Sequence, residues 1–265
     1  GVELMYAIIL AAGRGFRMGE LTEETPKPLL KLGNIVLIEK QISILKKAGY
    51  KKISIVTGYK KELFKKYSIR CIENKKWNTS NMLESISVGL EQIRSLPRKQ
   101  TLIIYSDILY DLESIKIFHQ EKEKIIIPSN SKWFKNWQAR FSDPKKDAES
   151  FIFDSDNKLI EIGKKIKNSE EVKGQFKGIV SINKNYINTF LNKLNKFKEC
   201  NLNQHKYTTD YLQHLIDEDI GLYVRSSESG WLEVDTEGDL IIYKEHLKNG
   251  TIKEISGLDV SYFKG

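Results

Sequence analysis

The residues with the clearest chemical potential lie near the amino terminus, where small residues, glycines and basic side chains follow an apolar run. In chain order they are Leu10, Ala11, Ala12, Gly13, Arg14, Gly15 and Lys27. Small side chains let backbone N–H groups approach a ligand closely, and glycine adopts the positive φ that such a wrap requires. Successive N–H groups in this geometry hold anions, and the basic side chains add positive charge. The segment predicts a triphosphate-binding loop.

This loop differs from the two common phosphate-binding motifs. Met18 stands where the third glycine of G-x-G-x-x-G belongs, and G-x-x-x-x-G-K-[ST] is absent. On Gly13 and Gly15 alone, a glycine-rich turn without any ligand is an equally good interpretation.

Two acidic residues far apart in the chain are candidate metal ligands. Asp107 directly follows an apolar run, and Asp235 shares one face of a predicted strand with Glu233. Mg²⁺ prefers carboxylate and phosphate oxygens. The alternatives are a cap or turn role for Asp107 and a place beside the N-cap Thr236 for Asp235. The four histidines have neither metal-ligand spacing nor a nucleophile partner.

The elements that must position these residues alternate along the first half. Apolar runs predict strands at 6–10, 52–57, 69–73 and 101–105, and helical spacing predicts helices at 36–48 and 80–96, with a short helix ending at Tyr67. This alternation favours an α/β fold with a Rossmann-like, doubly wound, mostly parallel sheet. Ligands bind beyond the carboxyl ends of strands in such sheets, where Arg14, Gly58, Asn81 and Asp107 are expected.

The second half has weaker periodicity. Residues 129–147 carry several aromatic side chains and predict a loop-rich lid or excursion. Short strands are predicted at 151–153, 159–162, 176–182, 222–224 and 231–234, and helices at 186–197, at 209–217 and after Thr236. We therefore expect a small elaboration, rich in loops and strands, on the main sheet.

Composition excludes several classes of protein. Lys and Arg number 43 against 35 Asp and Glu, a net charge of +8 over 265 residues. The excess is spread without a basic block, so we expect a solvated surface with at most a weak pull on anionic substrates, and no nucleic-acid binding. No apolar run reaches the ~18 residues of a membrane span. With no visible signal peptide and only two cysteines, we expect a cytoplasmic protein without membrane association.

Longer stretches together resemble a known family. L-A-A-G-x-G-x-R-M is followed by T-P-K-P-L at 25–29, Y-S-D at 105–107 and W-L-E-V-D-T-E-G-D-L at 231–240. This set resembles the nucleotidyltransferases that activate sugar phosphates and alcohol phosphates with a nucleoside triphosphate. The resemblance extends from Tyr6 to about Leu247.

The resemblance implies roles for individual residues. Arg14, Gly15 and Lys27 would hold phosphates, with Lys27 and Arg14 acting in catalysis. Asp107 and Asp235 would bind Mg²⁺. A pyrimidine base would be read by Asn81, Ser85 and the backbone of Gly58 and of residues 10–12. A single domain is expected over 5–250, with a nucleotide-binding half at about 5–125, an acceptor-binding half at about 126–250, a vector-derived remnant at 1–4 and a tail at 251–265.

The second half indicates one branch of that family. D-A-E-S-F at 147–151, I-G-K-K at 162–165, G-Q-F-K-G-I at 174–179 and Y-T-T-D-Y-L at 207–212 resemble cytidylyltransferases acting on aminoalkyl phosphates and phosphonates. In that setting Lys164 would hold the acceptor's phosphate or phosphonate and act in catalysis. Asp147 and Glu149, with Asp143, would meet a cationic amine, and Trp137 or Trp133 would offer a cation–π face. Ordinary lid packing and a solvated loop are the alternatives for these residues.

The resulting hypothesis is a Mg²⁺-dependent cytidylyltransferase. It would transfer CMP from CTP to a 2-aminoethylphosphonate, phosphocholine or phosphoglutamine type of acceptor and release pyrophosphate, in cell-surface polysaccharide or phosphonate biosynthesis. The alternatives are a sugar-1-phosphate uridylyl- or thymidylyltransferase and a non-catalytic nucleotide-binding regulatory module. The sequence leaves open the acceptor, the number of Mg²⁺ ions and the oligomeric state, for which a homodimer is one alternative.

Overall fold

Apolar runs and amphipathic segments form strands and helices along the whole of the computed structural model, which describes residues 4–119, 124–203 and 205–265. The strands, in chain order, are β1 (Met5–Ala11), β2 (Lys31–Leu32), β3 (Ile35–Val36), β4 (Lys52–Thr57), β5 (Arg70–Glu73), β6 (Gln100–Tyr105), β7 (Ile108–Tyr110), β8 (Ile125–Asn130), β9 (Glu149–Phe153), β10 (Leu159–Lys165), β11 (Ile179–Asn183), β12 (Leu222–Ser227) and β13 (Trp231–Glu233). The helices are α1 (Leu37–Lys47), α2 (Met82–Ile93), α3 (Leu112–Lys116), α4 (Trp133–Arg140), α5 (Pro144–Asp147), α6 (Ile187–Glu199), α7 (Thr208–Asp217), α8 (Glu237–Lys248) and α9 (Ile252–Ser256).

Within the described residues, seven strands form a central sheet in the order β12-β8-β11-β6-β1-β4-β5. Neighbours pair in parallel except at β11, which runs antiparallel to β6 and β8. The chain passes from β1 to β4 and β5 on one side and to β6 on the other, so the strand order reverses beside β1. The predicted doubly wound, mostly parallel fold is confirmed. The antiparallel β9–β10 pair is the expected small elaboration.

Alternation along β1 builds the core on both faces of the sheet. Ile8 and Leu10 pack with α2 and α6, whereas Ala7 and Ile9 pack with α1 and α3. Both faces are buried because side chains alternate along a strand and helices cover each side. This two-sided burial holds the carboxyl ends of β1 and β6 side by side.

A two-stranded ribbon joins distant parts of the chain. β7 pairs antiparallel with β13, and Ile108 lies opposite Glu233. The backbone N–H of Val234 then donates to the carbonyl of Asp107 at 2.7 Å. This register brings the segments carrying Asp107 and Asp235 to one end of the ribbon.

The structure corrects the sequence-based expectations in the second half. Residues 129–147 contain α4 and α5, so the prediction of a loop-rich lid was wrong there. Trp133 and Trp137 are only 9% and 6% exposed because they pack into the core on the α1 face of the sheet. The strand expected at 176–182 begins only at Ile179, and β7 and β8 are absent from the expectations.

The last residues pack into the fold. The Phe263 carbonyl accepts a hydrogen bond from the N–H of Asn34 at 2.9 Å. The Tyr262 hydroxyl donates to the carbonyl of Tyr110 at 2.8 Å. Phe263 shares a buried cluster with Leu32 and Leu232. Separately, none of the helices between residues 4 and 265 that the structure describes is long and apolar enough to cross a membrane.

Candidate active site

A cleft of about 720 Å³ opens at the carboxyl ends of β1 and β6. Many of the residues singled out from the sequence line it: Leu10, Ala12, Gly13, Gly15, Lys27, Asn81, Ser85, Asp107, Trp137, Asp147, Glu149 and Asp235. Four others, Ala11, Arg14, Gly58 and Lys164, are not among its lining residues. The position of the cleft is the one expected where the strand order of an open sheet reverses.

Gly15 makes room for Lys27. Gly15 has φ +76°, and a Cβ there would lie 2.9 Å from Lys27 Cε and 3.0 Å from Lys27 Cβ. Any larger residue would therefore push the Lys27 stem out of place. The Gly15 carbonyl is held by the N–H of Met18 at 3.0 Å and by Thr22 Oγ1 at 3.0 Å. The glycine is required both for the turn and for the lysine that crosses it.

Lys27 brings the two candidate metal ligands together. Its Nζ lies 3.4 Å from Asp107 Oδ2 and 3.5 Å from Asp235 Oδ1. The three side chains are only 12%, 17% and 18% exposed, in the order Lys27, Asp107, Asp235. Two acids separated by 128 positions in the printed sequence thus share one cationic partner at the base of the cleft. Asp235 Oδ2 also accepts from Arg17 Nη1 at 2.6 Å.

The remaining oxygen of Asp107 fits a metal ion. Asp107 Oδ1 is buried and makes no hydrogen bond within the described structure. A buried carboxylate oxygen without a partner is costly unless a ligand supplies one. In the part of the chain that the structure describes, no group of three or more His, Cys, Asp or Glu residues has the geometry of a metal site. Two carboxylates that leave room for phosphate oxygens suit Mg²⁺, which binds through one or two carboxylates plus substrate phosphates.

Buried hydrogen bonds fix the turn that carries Asp107. Gln41 Nε2, on α1, donates to the carbonyl of Tyr105 at 2.9 Å and to that of Ile108 at 2.6 Å. These carbonyls flank Asp107, and Gln41 is only 1% exposed. Gln41 was not identified from the sequence because a polar residue at a helical core position has no local signal for a partner on another element.

Arg14 and Gly58 contact residues of the first loop and its neighbours rather than lining the cleft. The Arg14 guanidinium stacks over the Phe16 ring at 4.7 Å and lies 5.9 Å from the Tyr59 ring, and its Nε is buried without a partner. A Cβ on Gly58 would lie 2.4 Å from Trp77 and 2.8 Å from the Ala12 carbonyl. The glycine therefore permits β4 and the first loop to pack closely, with the Tyr59 N–H donating to Ala12 at 2.9 Å.

One end of the cleft carries amide and hydroxyl groups suited to a base. Asn81 caps α2 through Oδ1, and its Nδ2 donates to the carbonyl of Lys206 at 2.6 Å. Ser85 Oγ accepts from Asn74 Nδ2 at 3.0 Å, and both residues are nearly fully buried. Asn74 was missed from the sequence, although it directly follows β5 at a strand end, where the binding residues of such sheets are expected.

Another part of the cleft lining, here called the carboxylate end, carries two acidic residues. Asp147 ends α5 and Glu149 begins β9, and both side chains are exposed to the cleft. The side-chain amide of Gln175 holds Glu149 on both sides, accepting from its N–H at 3.1 Å and donating to its carbonyl at 2.8 Å. Partial desolvation at the cleft and the negative charge of Asp210 raise the pKa of Glu149 to about 7. Asp143 is not among the lining residues and lies 3.9 Å from Lys146.

The tryptophans have different positions. Trp137 lines the cleft, but its ring stacks on Trp231 at 5.9 Å and carries the Arg140 guanidinium at 5.3 Å. Trp133 instead lines a separate groove with Phe134 and Val172. The packing interpretation applies to Trp133, and Trp137 is available to a ligand only where its ring borders the cleft.

Lys164 and Lys206 differ in their surroundings. Lys164 is 55% exposed and pairs with Glu161 at 3.2 Å. Lys206 lines the cleft and makes no side-chain hydrogen bond or ion pair with the residues that the structure describes. Lys206 was not identified from the sequence because it lies in an irregular segment.

Arg140 forms a buried ion network with two acidic residues close to Asp235 in the sequence. The Arg140 guanidinium bonds Asp239 through Nε and Nη2, both at 2.9 Å, and Glu233 through Nη1 at 3.1 Å. Burial raises the pKa of Glu233; Arg140 opposes this shift, and Asp107 and Asp235 reinforce it. Arg140 and Glu233 line the cleft next to Asp235.

The chain is similar in sequence to a family of NTP transferases and to several cytidylyltransferases. Residues 7–137 match a family model described as a MobA-like NTP transferase domain. The CTP:phosphoglutamine cytidylyltransferase of Campylobacter jejuni is 30% identical over 254 residues, which cover 91% of this chain and all of that protein. The 2-aminoethylphosphonate cytidylyltransferase of Lancefieldella rimae is 34% identical over 165 residues, 60% of each chain.

A solved structure shares the fold. The CTP:phosphocholine cytidylyltransferase of Streptococcus pneumoniae superposes with a TM-score of 0.72, covering 92% of this chain and 99% of that one at 24% identity.

Proposed function

The chain belongs to the nucleotidyltransferase family that carries the MobA-like NTP transferase domain, and we propose that it transfers CMP from CTP to a small phosphate or phosphonate acceptor with release of pyrophosphate. One observation carries this proposal: Asp107 and Asp235 converge on Lys27 beside the glycine loop, in the cleft at the carboxyl ends of β1 and β6. The choice of CTP follows from the relatives named as cytidylyltransferases.

The nucleotide would lie across the first loop. We propose that backbone groups of residues 10–12, with Asn81 and Ser85, contact the base, and that Gly58 shapes this end by close packing. Gly13, Gly15 and Lys27 would contact the phosphates, and Arg14 would support the loop through its contacts with the Phe16 and Tyr59 rings. Backbone amides and a lysine in this arrangement neutralise triphosphate charge without any movement at the moment of reaction.

The chemistry needs alignment more than covalent help. A phosphate monoester has its second pKa near ~6, so its oxygen is already an anionic nucleophile at neutral pH. That oxygen would form a bond to the α-phosphorus of CTP as the bond from that phosphorus to the β-phosphate oxygen breaks and pyrophosphate leaves. Lys27 lies where it would hold charge on the transferring and leaving phosphates, and positioning and electrostatics supply most of the rate in such transfers.

We propose Mg²⁺ as the metal, held by Asp107 and Asp235 together with phosphate oxygens. Bound there, the ion supplies charge neutralisation on the triphosphate. Asp107 would present its unbonded Oδ1, and Asp235 would exchange its contacts with Lys27 and Arg17 for the ion.

The carboxylate end of the cleft would hold the acceptor. We propose that Asp147 and Glu149 face a cationic amine, as in aminoethylphosphonate, phosphocholine or an amino-acid phosphate, and that the edge of Trp137 borders it. The carboxylates of this end line the same cleft as the phosphate-binding loop, which suits an acceptor with a positive group at one end and an anionic group at the other.

The test is a turnover screen with pyrophosphate detection. CTP, UTP, dTTP and GTP are each combined with phosphocholine, 2-aminoethylphosphonate, phosphoethanolamine, phosphoglutamine and glucose 1-phosphate. Turnover with CTP and an amine-bearing acceptor supports the proposal. Preference for UTP or dTTP with the sugar phosphate would establish the sugar-nucleotide alternative. Nucleotide binding without pyrophosphate release across the whole panel would establish the regulatory alternative.

The anion of the acceptor needs a cation, and paired variants separate two candidates. We expect Lys206→Ala to raise the acceptor KM roughly tenfold, because an unpaired ammonium in the cleft contributes about 1 to 2 kcal/mol to a charged ligand. The CTP KM should change less than threefold. Lys164→Ala serves as the matched variant. A larger effect from Lys164→Ala would favour the original assignment, in which Lys164 leaves Glu161 to reach the acceptor.

The pH dependence of acceptor binding should report on Glu149. Its pKa near 7 means that the carboxyl group is neutral below this pH and charged above it, so we expect the KM of an ammonium-bearing acceptor to fall between pH 6 and 8. The effect should be about threefold to fivefold, as for a solvent-accessible ion pair. Glu149→Gln should retain only the change due to the acceptor's own ionisation. An identical profile in the variant would exclude Glu149 from contact with the amine.

A further inference from the structure

The guanidinium of Arg140 is almost completely withdrawn from solvent although it borders the cleft. Its side chain is 1% exposed, and its Cζ lies 5.3 Å from the Trp137 ring and 4.8 Å from the Phe141 ring. Burying a cation between aromatic rings is costly unless anions and hydrogen bonds compensate. The partners of Arg140 therefore indicate what its position is for.

The two acidic partners of Arg140 lie on both sides of Val234 in the sequence. Before it, Glu233 Oε2 accepts from Arg140 Nη1 at 3.1 Å. After it, Asp239 takes two bonds from Arg140, and its Oδ2 accepts from the backbone N–H of Asp235 at 2.9 Å and of Thr236 at 3.1 Å. Arg140 thus holds the backbone turn that carries the Asp235 carboxylate.

The position of that turn decides where Asp235 stands relative to Asp107. Asp235 Oδ1 lies 3.5 Å from Lys27 Nζ, which also contacts Asp107. The ribbon of β7 and β13 sets the register of the two segments but ends at Glu233, before Asp235. Beyond that point, the N–H of Val234 donates to the Asp107 carbonyl, and Asp239 Oδ2 accepts from the backbone N–H groups of Asp235 and Thr236. Asp239 is itself oriented by the two-pronged bond from Arg140.

We propose that Arg140 is a positioning residue that sets the separation of the Asp107 and Asp235 carboxylates and thereby the affinity of the site for a divalent cation. The inference rests on the proposed function for its metal and nucleotide. Arg140 touches neither in this scheme and acts through Asp239 and the backbone of residues 235–236. The bond from Arg140 to Glu233 has a second effect. It gives Glu233 a cationic partner, which leaves Asp107 and Asp235 as the two carboxylates that face the cation.

The fork geometry makes a conservative variant informative. Lysine keeps the charge of Arg140 but cannot make two parallel bonds to Asp239 while also contacting Glu233. We expect Arg140→Lys to raise the half-saturating Mg²⁺ concentration roughly tenfold or more, the usual effect of losing a partner of a metal ligand. The CTP KM at saturating Mg²⁺ should change less than threefold, because the hydrogen bonds of Arg140 go to Asp239, Asn136 and Glu233 and not to the groups proposed to contact the base.

A second variant separates positioning from folding. Arg140→Met combined with Asp239→Asn removes both charges of the most deeply buried ion pair, and the asparagine Oδ1 can still accept a hydrogen bond from the backbone N–H of Asp235 or Thr236. We expect its melting temperature to lie closer to wild type than that of Arg140→Met alone, while the Mg²⁺ defect persists. Leu194→Ala, which leaves a cavity in the core on the α6 face of the sheet, is the control. It should lower the melting temperature without changing the half-saturating Mg²⁺ concentration.

Mn²⁺ binding, measured by electron paramagnetic resonance with and without CTP, provides a readout independent of turnover. Weaker Mn²⁺ binding by folded Arg140→Lys, in proportion to its Mg²⁺ shift, supports the proposal. A Mn²⁺ affinity and Mg²⁺ midpoint within twofold of wild type would overturn it. If wild type fails to transfer CMP yet binds Mn²⁺ more tightly than Arg140→Lys, the proposed function fails and the positioning role stands.

Discussion

Replacing Asp107 with asparagine should lower CMP transfer by roughly 1,000-fold, the effect of losing several kcal/mol of transition-state stabilisation at a metal site. Asparagine has the shape of the aspartate but no charge, and it offers a neutral oxygen where the buried Oδ1 now lacks a partner. The measurement is pyrophosphate release at saturating CTP and acceptor over a wide range of Mg²⁺.

The fold should survive this change. Asp107 and Asp235 repel one another across Lys27, so removing one charge should leave the melting temperature the same or slightly higher. Asp219→Asn, with a side chain that is 93% exposed, is the control and should keep full activity. Full activity of Asp107→Asn at any Mg²⁺ concentration would remove Asp107 from the metal site.

Replacing Lys27 with alanine or methionine should lower kcat by about 100-fold, comparable to removing one donor to a developing charge. Methionine keeps the stem that packs over Gly15, so equal losses in both variants would assign the effect to the ammonium group rather than to packing. Lys193→Met removes another partly buried, ion-paired lysine and should leave turnover unchanged.

The direction in which the half-saturating Mg²⁺ concentration changes should distinguish the Lys27 variants from Asp107→Asn. Lys27 and the metal compete for the same two carboxylates, so loss of the lysine should lower the half-saturating Mg²⁺ concentration even as turnover falls. A higher Mg²⁺ requirement in Lys27→Met would contradict this competition and show that the lysine helps to assemble the site.

The first half of the chain could be predicted from the sequence because its signals are local. An apolar strand, small residues and a lysine at fixed spacing identified the first loop, and the polar residue after β6 identified Asp107. These features depend on neighbours in the chain, and the family resemblance drawn from them is confirmed by a relative that matches over its full length.

Residues that depend on distant partners were missed. Arg140 meets Asp239 across 99 positions and Glu233 across 93, and no local pattern of α4 indicates either contact. Trp133 and Trp137 are four residues apart on one face of α4, where their ring centroids lie 5.6 Å apart, but this helix has only eight residues, too few for a periodic pattern to stand out in the sequence. Lys164 lies within a break in the β9–β10 register, between Ile162 and Lys165, so counting along the strand does not predict which way its side chain points.

The hydrogen bond between Asn81 and the Lys206 carbonyl links the part of the site proposed for the base to the segment proposed to face the acceptor. An amide nitrogen carries two hydrogens, so Asn81 Nδ2 can keep the Lys206 carbonyl and still donate to a pyrimidine. A nucleotide that immobilises Asn81 then also steadies the segment that faces the second substrate. Such linkage is reciprocal, so each substrate would tighten the other by the same factor. Saturating CTP should therefore lower the KM of the amine-bearing acceptor, and saturating acceptor should lower the KM of CTP, with one shared side chain as the source of the coupling.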